Sequence, residues 1–140
     1  MSQEPTTPDL VERTRRAYES FSRRDVDAVM RYYDQDVVFD LSPAGLGSYE
    51  GRAAVRGFFE DWLDAYDEFD FELEQILDLG NGVVFAAGRQ NARPAHSTGY
   101  VQMHHGNVGV WVEGLLVRIT HYNDIDEARA AAERLAEERG

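Results

Sequence analysis

The sequence contains no cysteine. Without thiols it can form no disulfide, no thiolate nucleophile, no iron–sulfur cluster and no thiolate zinc site. It contains no lysine either, because all 14 basic residues are arginine. Schiff-base chemistry, pyridoxal phosphate anchoring and a Walker-type phosphate loop all need a lysine amine and are excluded with it. Long apolar runs are also missing. No stretch approaches the ~18 apolar residues of a membrane helix. The opening residues, MSQEPTTPDL, have neither the basic region nor the apolar stretch of a signal peptide. The expectation is a cytoplasmic protein with no membrane partner. Positive charge is scarce: 14 basic residues against 26 acidic ones leave a formal net charge of −12. Such a field repels phosphate backbones and argues against nucleic-acid binding.

What is present fits one folded domain. The 140 residues are 43% hydrophobic and 29% charged, enough for a core and a solvated surface. Residues 1–7 are polar and expected to be disordered, leaving 8–140 as a single domain. Between Gly57 and Gly80 stand nine acids and no base. Charge patterning reads them as a solvated helix face followed by the outer face of a strand, with an acidic docking surface as the alternative.

Periodicity orders the elements. Thr7-Pro8-Asp9 has the form of a helix start, and Leu10, Thr14, Ala17 and Phe21 recur at helical spacing up to about Arg24. Asp25 can cap a short second helix with Val29, Met30 and Tyr33 on one side. VVFDL is a strand, and the segment from Ser42 to Ser48 is a loop by its glycine, proline and serine content. Arg52 to Tyr66 reads as a third helix. The period then changes to two, with Phe69, Phe71 and Leu73 alternating with acids. Asn81-Gly82 and Glu113-Gly114 mark tight turns. Between them lie VVFAAGRQNA and a long strand from Tyr100 to Trp111. Leu115 to Asn123 is the last strand, and Ile125 to Arg139 an alanine-rich helix. Helices bunched before a four-strand antiparallel meander argue for an α+β fold with helices on one face of the sheet. A curved sheet closing over them leaves a cavity, where a ligand would sit.

The segments RRAYESFSRRDVDAVMRYYDQDVVFD, YEGRAAVRGFFEDWL and VEGLLVRITHYND resemble the signature stretches of SnoaL-like polyketide cyclases and ketosteroid isomerase-like proteins, members of the nuclear-transport-factor-2-like superfamily. The resemblance spans about residues 8 to 125. It implies a cone: a strongly curved, mainly antiparallel sheet packed on three N-terminal helices, plus a C-terminal helix. It also implies a cofactor-free isomerase, cyclase or dehydratase acting on a small cyclic or polyketide-like carbonyl compound, or else a binding module for a small apolar ligand. Carried over position by position, the aspartate base of ketosteroid isomerases falls on Leu41, with Asp40 on the opposite face. The oxyanion tyrosine falls on Ala17, next to Tyr18. The second oxyanion donor falls on Asn107, and the catalytic aspartate of SnoaL-type cyclases on His121. Scytalone dehydratase, on the same fold, uses paired pocket histidines, which makes dehydration a variant by analogy.

Strand alternation points independently to the same region. The phase Val101, Met103, His105, Asn107, Gly109, Trp111 is an inward row broken by two polar residues. On the last strand the phase Leu115, Val117, Ile119, His121 is apolar until its end. Adjacent strands lie about 4.8 Å apart, so His105, Asn107 and His121 can converge. A histidine in an apolar pocket exchanges protons near neutral pH, and an asparagine amide can donate to a developing oxyanion. The candidate catalytic group is therefore His121 as acid/base, with His105 and Asn107 assisting. Desolvation is expected to keep His121 neutral at pH 7. Tyr18, Leu41, Phe58, Trp62, Met103 and Trp111 are candidate pocket walls. Arg89 is a candidate for a ligand carboxylate or for pairing with an acid of the first helices. No metal is expected: His104 and His105 point to opposite faces, and His105 with His121 offers two nitrogens where zinc sites show at least three protein ligands. The outward phase, with Val108, Val110, Leu116 and Tyr122, is too apolar for a solvated face and suggests a homodimer.

Overall fold

The computed structural model describes residues 9–140. The disorder expected for residues 1–7 therefore lies outside the described residues, as do Thr7 and Pro8. The first helix, α1 (Leu10–Ser22), is capped instead by Asp9, whose carboxylate accepts from the Glu12 amide at 3.1 Å. Asp25 caps α2 (Val26–Met30) in the same way through the Ala28 amide. Strand β1 (Tyr33–Asp40) follows, then a 3₁₀ turn over Ser42–Ala44 and a short strand, β2 (Ser48–Glu50). The helix α3 (Arg52–Asp64) stops before Tyr66, which opens β3 (Tyr66–Asp78). The meander continues with β4 (Val83–Pro94), β5 (Val101–Val112) and β6 (Leu115–Tyr122), and α4 (Ile125–Arg139) ends the chain.

The six strands form one mixed sheet in the order β2-β1-β6-β5-β4-β3. The meander β3 to β6 is antiparallel, while β1 runs parallel to β6. Two of its turns are set by local chemistry. Asn81 and Gly82 have φ of 57° and 81°, and Glu113 and Gly114 have φ of 51° and 82°. Both pairs thus take the two positive φ values of a type I′ hairpin. Register shifts between Leu73 and Gln75 and between Val110 and Trp111 insert bulges, which bend strands and increase their twist.

Helices occupy both faces of the sheet, not one. α1, α2 and α3 cover the inner face, with a core that includes Val29, Val37, Phe39, Val55 and Phe59. α4 lies on the outer face, where Ala128, Ala132 and Ala136 meet Val83, Phe85, Ala87 and Val108. A side chain at Gly106 would stand 2.6 Å from the Ala128 β-carbon, so the glycine is what lets α4 approach β5 so closely. This corrects the reading of the outward row. Val108 and Val110 are buried within the chain, Val108 beneath α4. Leu116 points inward, because the bulge at Val110/Trp111 sets it opposite Trp111. The apolar outward residues are thus accounted for within one chain. No helix among the described residues is long and apolar enough to cross a membrane.

Candidate active site

Between the inner helices and the sheet lies a cavity of about 110 Å³. Its walls are overwhelmingly apolar and aromatic. Phe39, Phe58, Phe59, Trp62, Phe71 and Trp111 all reach it. Of the positions singled out from sequence, Tyr18, Leu41, Phe58, Trp62 and Trp111 line this cavity, together with His105, Asn107 and His121.

Two expected wall residues do not. Arg89 follows the outward phase of β4, opposite Glu72 on β3 and His104 on β5, and its guanidinium donates to the Glu72 carboxylate at 2.5 Å. Its partner is thus an acid of the neighbouring strand, neither a ligand carboxylate nor an acid of the first helices. Met103 shares the inward phase but lies beyond the cavity, at the exposed end of β5.

The residue that sequence reading missed is Gln90. Its phase contains Val84 and Ala86, which also line the cavity, so alternation along β4 turns Gln90 inward and Arg89 outward. Gln90 is only 2% exposed. Its Oε1 accepts from Trp62 Nε1 at 3.3 Å and stands 3.2 Å from His105 Nε2. An indole nitrogen can only donate. The amide oxygen must therefore face Trp62, and His105 must carry its proton on Nε2 to donate to the same oxygen. That leaves His105 Nδ1 as a bare acceptor.

On β6 the opposite tautomer follows. β5 and β6 set Asn107 directly across from His121. His121 Nδ1 donates to Asn107 Oδ1 at 2.8 Å, and Asn107 Nδ2 donates to the Tyr18 hydroxyl oxygen at 2.5 Å. His121 Nε2 is the nitrogen left with a free lone pair, and the Tyr18 hydroxyl keeps its own proton to donate. The rings of His105 and His121 lie 4.7 Å apart, centroid to centroid. A stack of Tyr18 on Phe71 at 5.1 Å and Phe71 on His105 at 6.0 Å ties the two polar groups into one wall.

Burial sets the protonation states. Both histidines fall from the ordinary 6.5 to about 4, chiefly because an imidazolium would lose its hydration here; for His105 the neighbouring His121 and His104 add to the effect. Both are neutral at pH 7. Burial pushes the Tyr18 hydroxyl up to about 12, against the hydrogen bond from Asn107, so it stays protonated. No group of three or more histidine, aspartate or glutamate side chains among the described residues could hold a metal ion.

An open six-strand mixed sheet, three helices before the meander and a cavity between the layers define the nuclear-transport-factor-2-like fold. The chain belongs to the SnoaL-like domain family, whose sequence profile matches residues 14–119. None of the curated proteins matches it. Solved structures share the fold. An NTF2-like protein of unknown function from Burkholderia pseudomallei is 21% identical, with a TM-score of 0.73 over 86% of this chain and 95% of that one. A candidate polyketide cyclase from Xanthomonas campestris pv. campestris is 22% identical, with a TM-score of 0.67 over 86% and 94%. TerC, co-crystallised with polyporic acid, is 14% identical, with a TM-score of 0.70 over 88% and 97%.

Proposed function

We propose that the protein is a cofactor-free enzyme that moves a proton next to the carbonyl of a small molecule, as an isomerase, cyclase or dehydratase. The observation that carries this reading is the Asn107 amide, which bonds a neutral histidine at one end and a protonated tyrosine at the other. In the first step the substrate carbonyl oxygen accepts a hydrogen bond from Tyr18. His121 Nε2 takes the α-proton, its electron pair moves into the C–C bond, and an enolate forms beside an imidazolium. Asn107 Oδ1 holds the Nδ1 proton of that imidazolium throughout. The proton then returns to another carbon, or helps a β-hydroxyl leave as water, or the enolate attacks a second carbonyl and closes a ring, the imidazolium giving its proton to the new alkoxide oxygen. A histidine depressed to about 4 is a weak base. Ketosteroid isomerases work with a base only slightly stronger, a carboxylate of pKa about 4.6, with the driving force coming from the oxyanion donors, and Tyr18 fills that role here. Asn107, expected from sequence as an oxyanion donor, serves in this scheme as a positioning residue.

The test is proton exchange. Small cyclic ketones are incubated with the protein in D₂O and followed by proton NMR. The wild type should accelerate washout of the α-protons, and His121→Phe should not. A second reading, a non-catalytic binding module, is favoured by Leu41, an apolar residue where the resemblance puts a carboxylate base. Ketones that bind but exchange no faster than in buffer would establish that reading instead. A neighbour of this fold crystallised with polyporic acid supports a ligand-holding role under either reading. Homodimer assembly and a cytoplasmic setting stay with the proposal as expectations. Sedimentation showing only monomer at micromolar concentration would count against the dimer.

A further inference from the structure

A second void, a groove of about 480 Å³, lies outside the cavity between α1 and β3. Its walls are polar where those of the cavity are apolar. Arg15, Glu19, Arg23, Asp70 and Glu74 face it, side chains that keep their hydration. Two residues line both spaces, Tyr18 and Phe71. Their rings stack at 5.1 Å with 21° between the planes, and both residues are half-buried. At this point the partition between groove and cavity is a single pair of rings. Behind it lies the buried His105, on which Phe71 stacks at 6.0 Å.

The other walls are held more firmly. On the sheet side, continuous strand ladders close the cavity, with α4 packed behind them. On the α3 side, Phe58 packs against the rings of Phe39, Tyr49, Phe59 and Trp62 at 4.7 to 6.0 Å, and Trp62 donates to Gln90. Parting α3 from the sheet breaks all of these contacts together. Swinging Tyr18 and Phe71 aside breaks one hydrogen bond, from Asn107 Nδ2 to the Tyr18 hydroxyl, and two ring stacks. Phe71 also has room on its sheet side. Its ring lies where a β-carbon of Gly88 would stand 2.7 Å away, so it rests on bare backbone.

We propose that the groove between α1 and β3 is the entrance to the cavity and that the Tyr18–Phe71 pair is its door. Opening the door breaks the bond from Tyr18 to Asn107, the residue that also orients His121. Admission and chemistry therefore exclude each other. Tyr18 returns to Asn107 only after the ligand has passed, and closure completes the site. The cavity wall includes no arginine, aspartate or glutamate among the described residues, so what passes is neutral and leaves its water in the groove. The inference concerns access, and it holds whether the protein turns its ligand over or only keeps it.

Benzene is the probe. A cavity of about 110 Å³ is on the scale of an apolar cavity of about 150 Å³ that takes it up. NMR relaxation dispersion on partly saturated protein gives the rates of entry and release, and their ratio gives Kd. Glu19 faces the groove and not the cavity, so Glu19→Trp fills the approach without touching bound benzene. It should slow entry and release alike, by about tenfold, and leave Kd within about twofold. Gln75→Trp, on the strand side of the groove, repeats the comparison if the first variant misfolds. Phe71→Leu should speed both rates by about tenfold. Unchanged rates in a folded Glu19→Trp or Gln75→Trp variant overturn the proposal. So does a change in Kd without a parallel change in both rates, faster exchange in Phe58→Leu than in Phe71→Leu, or no uptake of benzene by the wild type. Benzene has no carbonyl, so each of these outcomes is separate from the result of deuterium washout.

Discussion

His121 Nδ1 stands 2.8 Å from Asn107 Oδ1, and that contact decides which nitrogen of His121 is free to act as a base. The two residues face each other across the β5–β6 ladder, so the sheet register positions the pair. The amide nitrogen of the same Asn107 reaches Tyr18 on α1, 89 residues away in sequence.

Replacing Asn107 by aspartate puts a carboxylate beside the imidazole. An adjacent negative charge favours the imidazolium, so the His121 pKa should rise from about 4 toward or past its ordinary 6.5. The acid limb of any kcat/KM profile should move up with it. Histidine NMR titration of Asn107→Asp checks this, and an unchanged titration would show that Asn107 does not set the state of His121.

Tyr18→Phe removes the hydroxyl and keeps the ring stacked on Phe71. Loss of one oxyanion donor should lower turnover about 10²–10³-fold. Thermal stability should change little by comparison. Steady-state kinetics beside a melting curve separate the two effects.

Acid stability follows from both histidines. Each has a folded pKa of about 4 against an unfolded value of 6.5, so the unfolded chain takes up protons first as the pH falls. Stability is therefore complete above pH 6.5 and declines between 6.5 and about 4, by about 2 kcal/mol per histidine at pH 5. Asp27 and Asp40 are also held below their ordinary value, by hydrogen bonds with Arg56 and Ser42 respectively, so their contribution is present above the ordinary carboxylate range and is lost only as the pH falls through it. Urea unfolding at pH 7.5 and at pH 5 measures the slope, and His121→Phe should reduce it.

Gly88→Ala should damage the wall of rings. Its new β-carbon would lie 2.4 Å from the Glu72 carbonyl oxygen and 2.7 Å from the Phe71 ring, so Phe71 or the strand must move. Overpacking of this kind costs about 1–3 kcal/mol. The expected result is a melting temperature lower by several degrees and a weakened grip on aromatic ligands, read by a thermal shift with and without phenol.

Much of this arrangement was legible in the sequence. Alternation on β5 and β6 puts His105, Asn107 and His121 on one face, and the two turn signals fix the hairpins that align them. The errors have physical causes. A bulge exchanges the face of Leu116, and a bulge has no period-two signature. The outward row of valines reads as an interface only while the position of α4 is unknown. Gln90 was within reach, because running the β4 alternation back from Val84 turns it inward and sends Arg89 out. The tautomers were not legible, because they depend on Trp62 and Tyr18, which approach from helices distant in the chain.

The central claim is that the two buried histidines are neutral and of opposite tautomer, with Nε2 of His121 bare. Long-range ¹H–¹⁵N correlation of the imidazole rings at pH 7 reads this directly. His121 should show a protonated Nδ1 and an unprotonated Nε2, and His105 the reverse. A His121 protonated on Nε2, or on both nitrogens, would contradict the account.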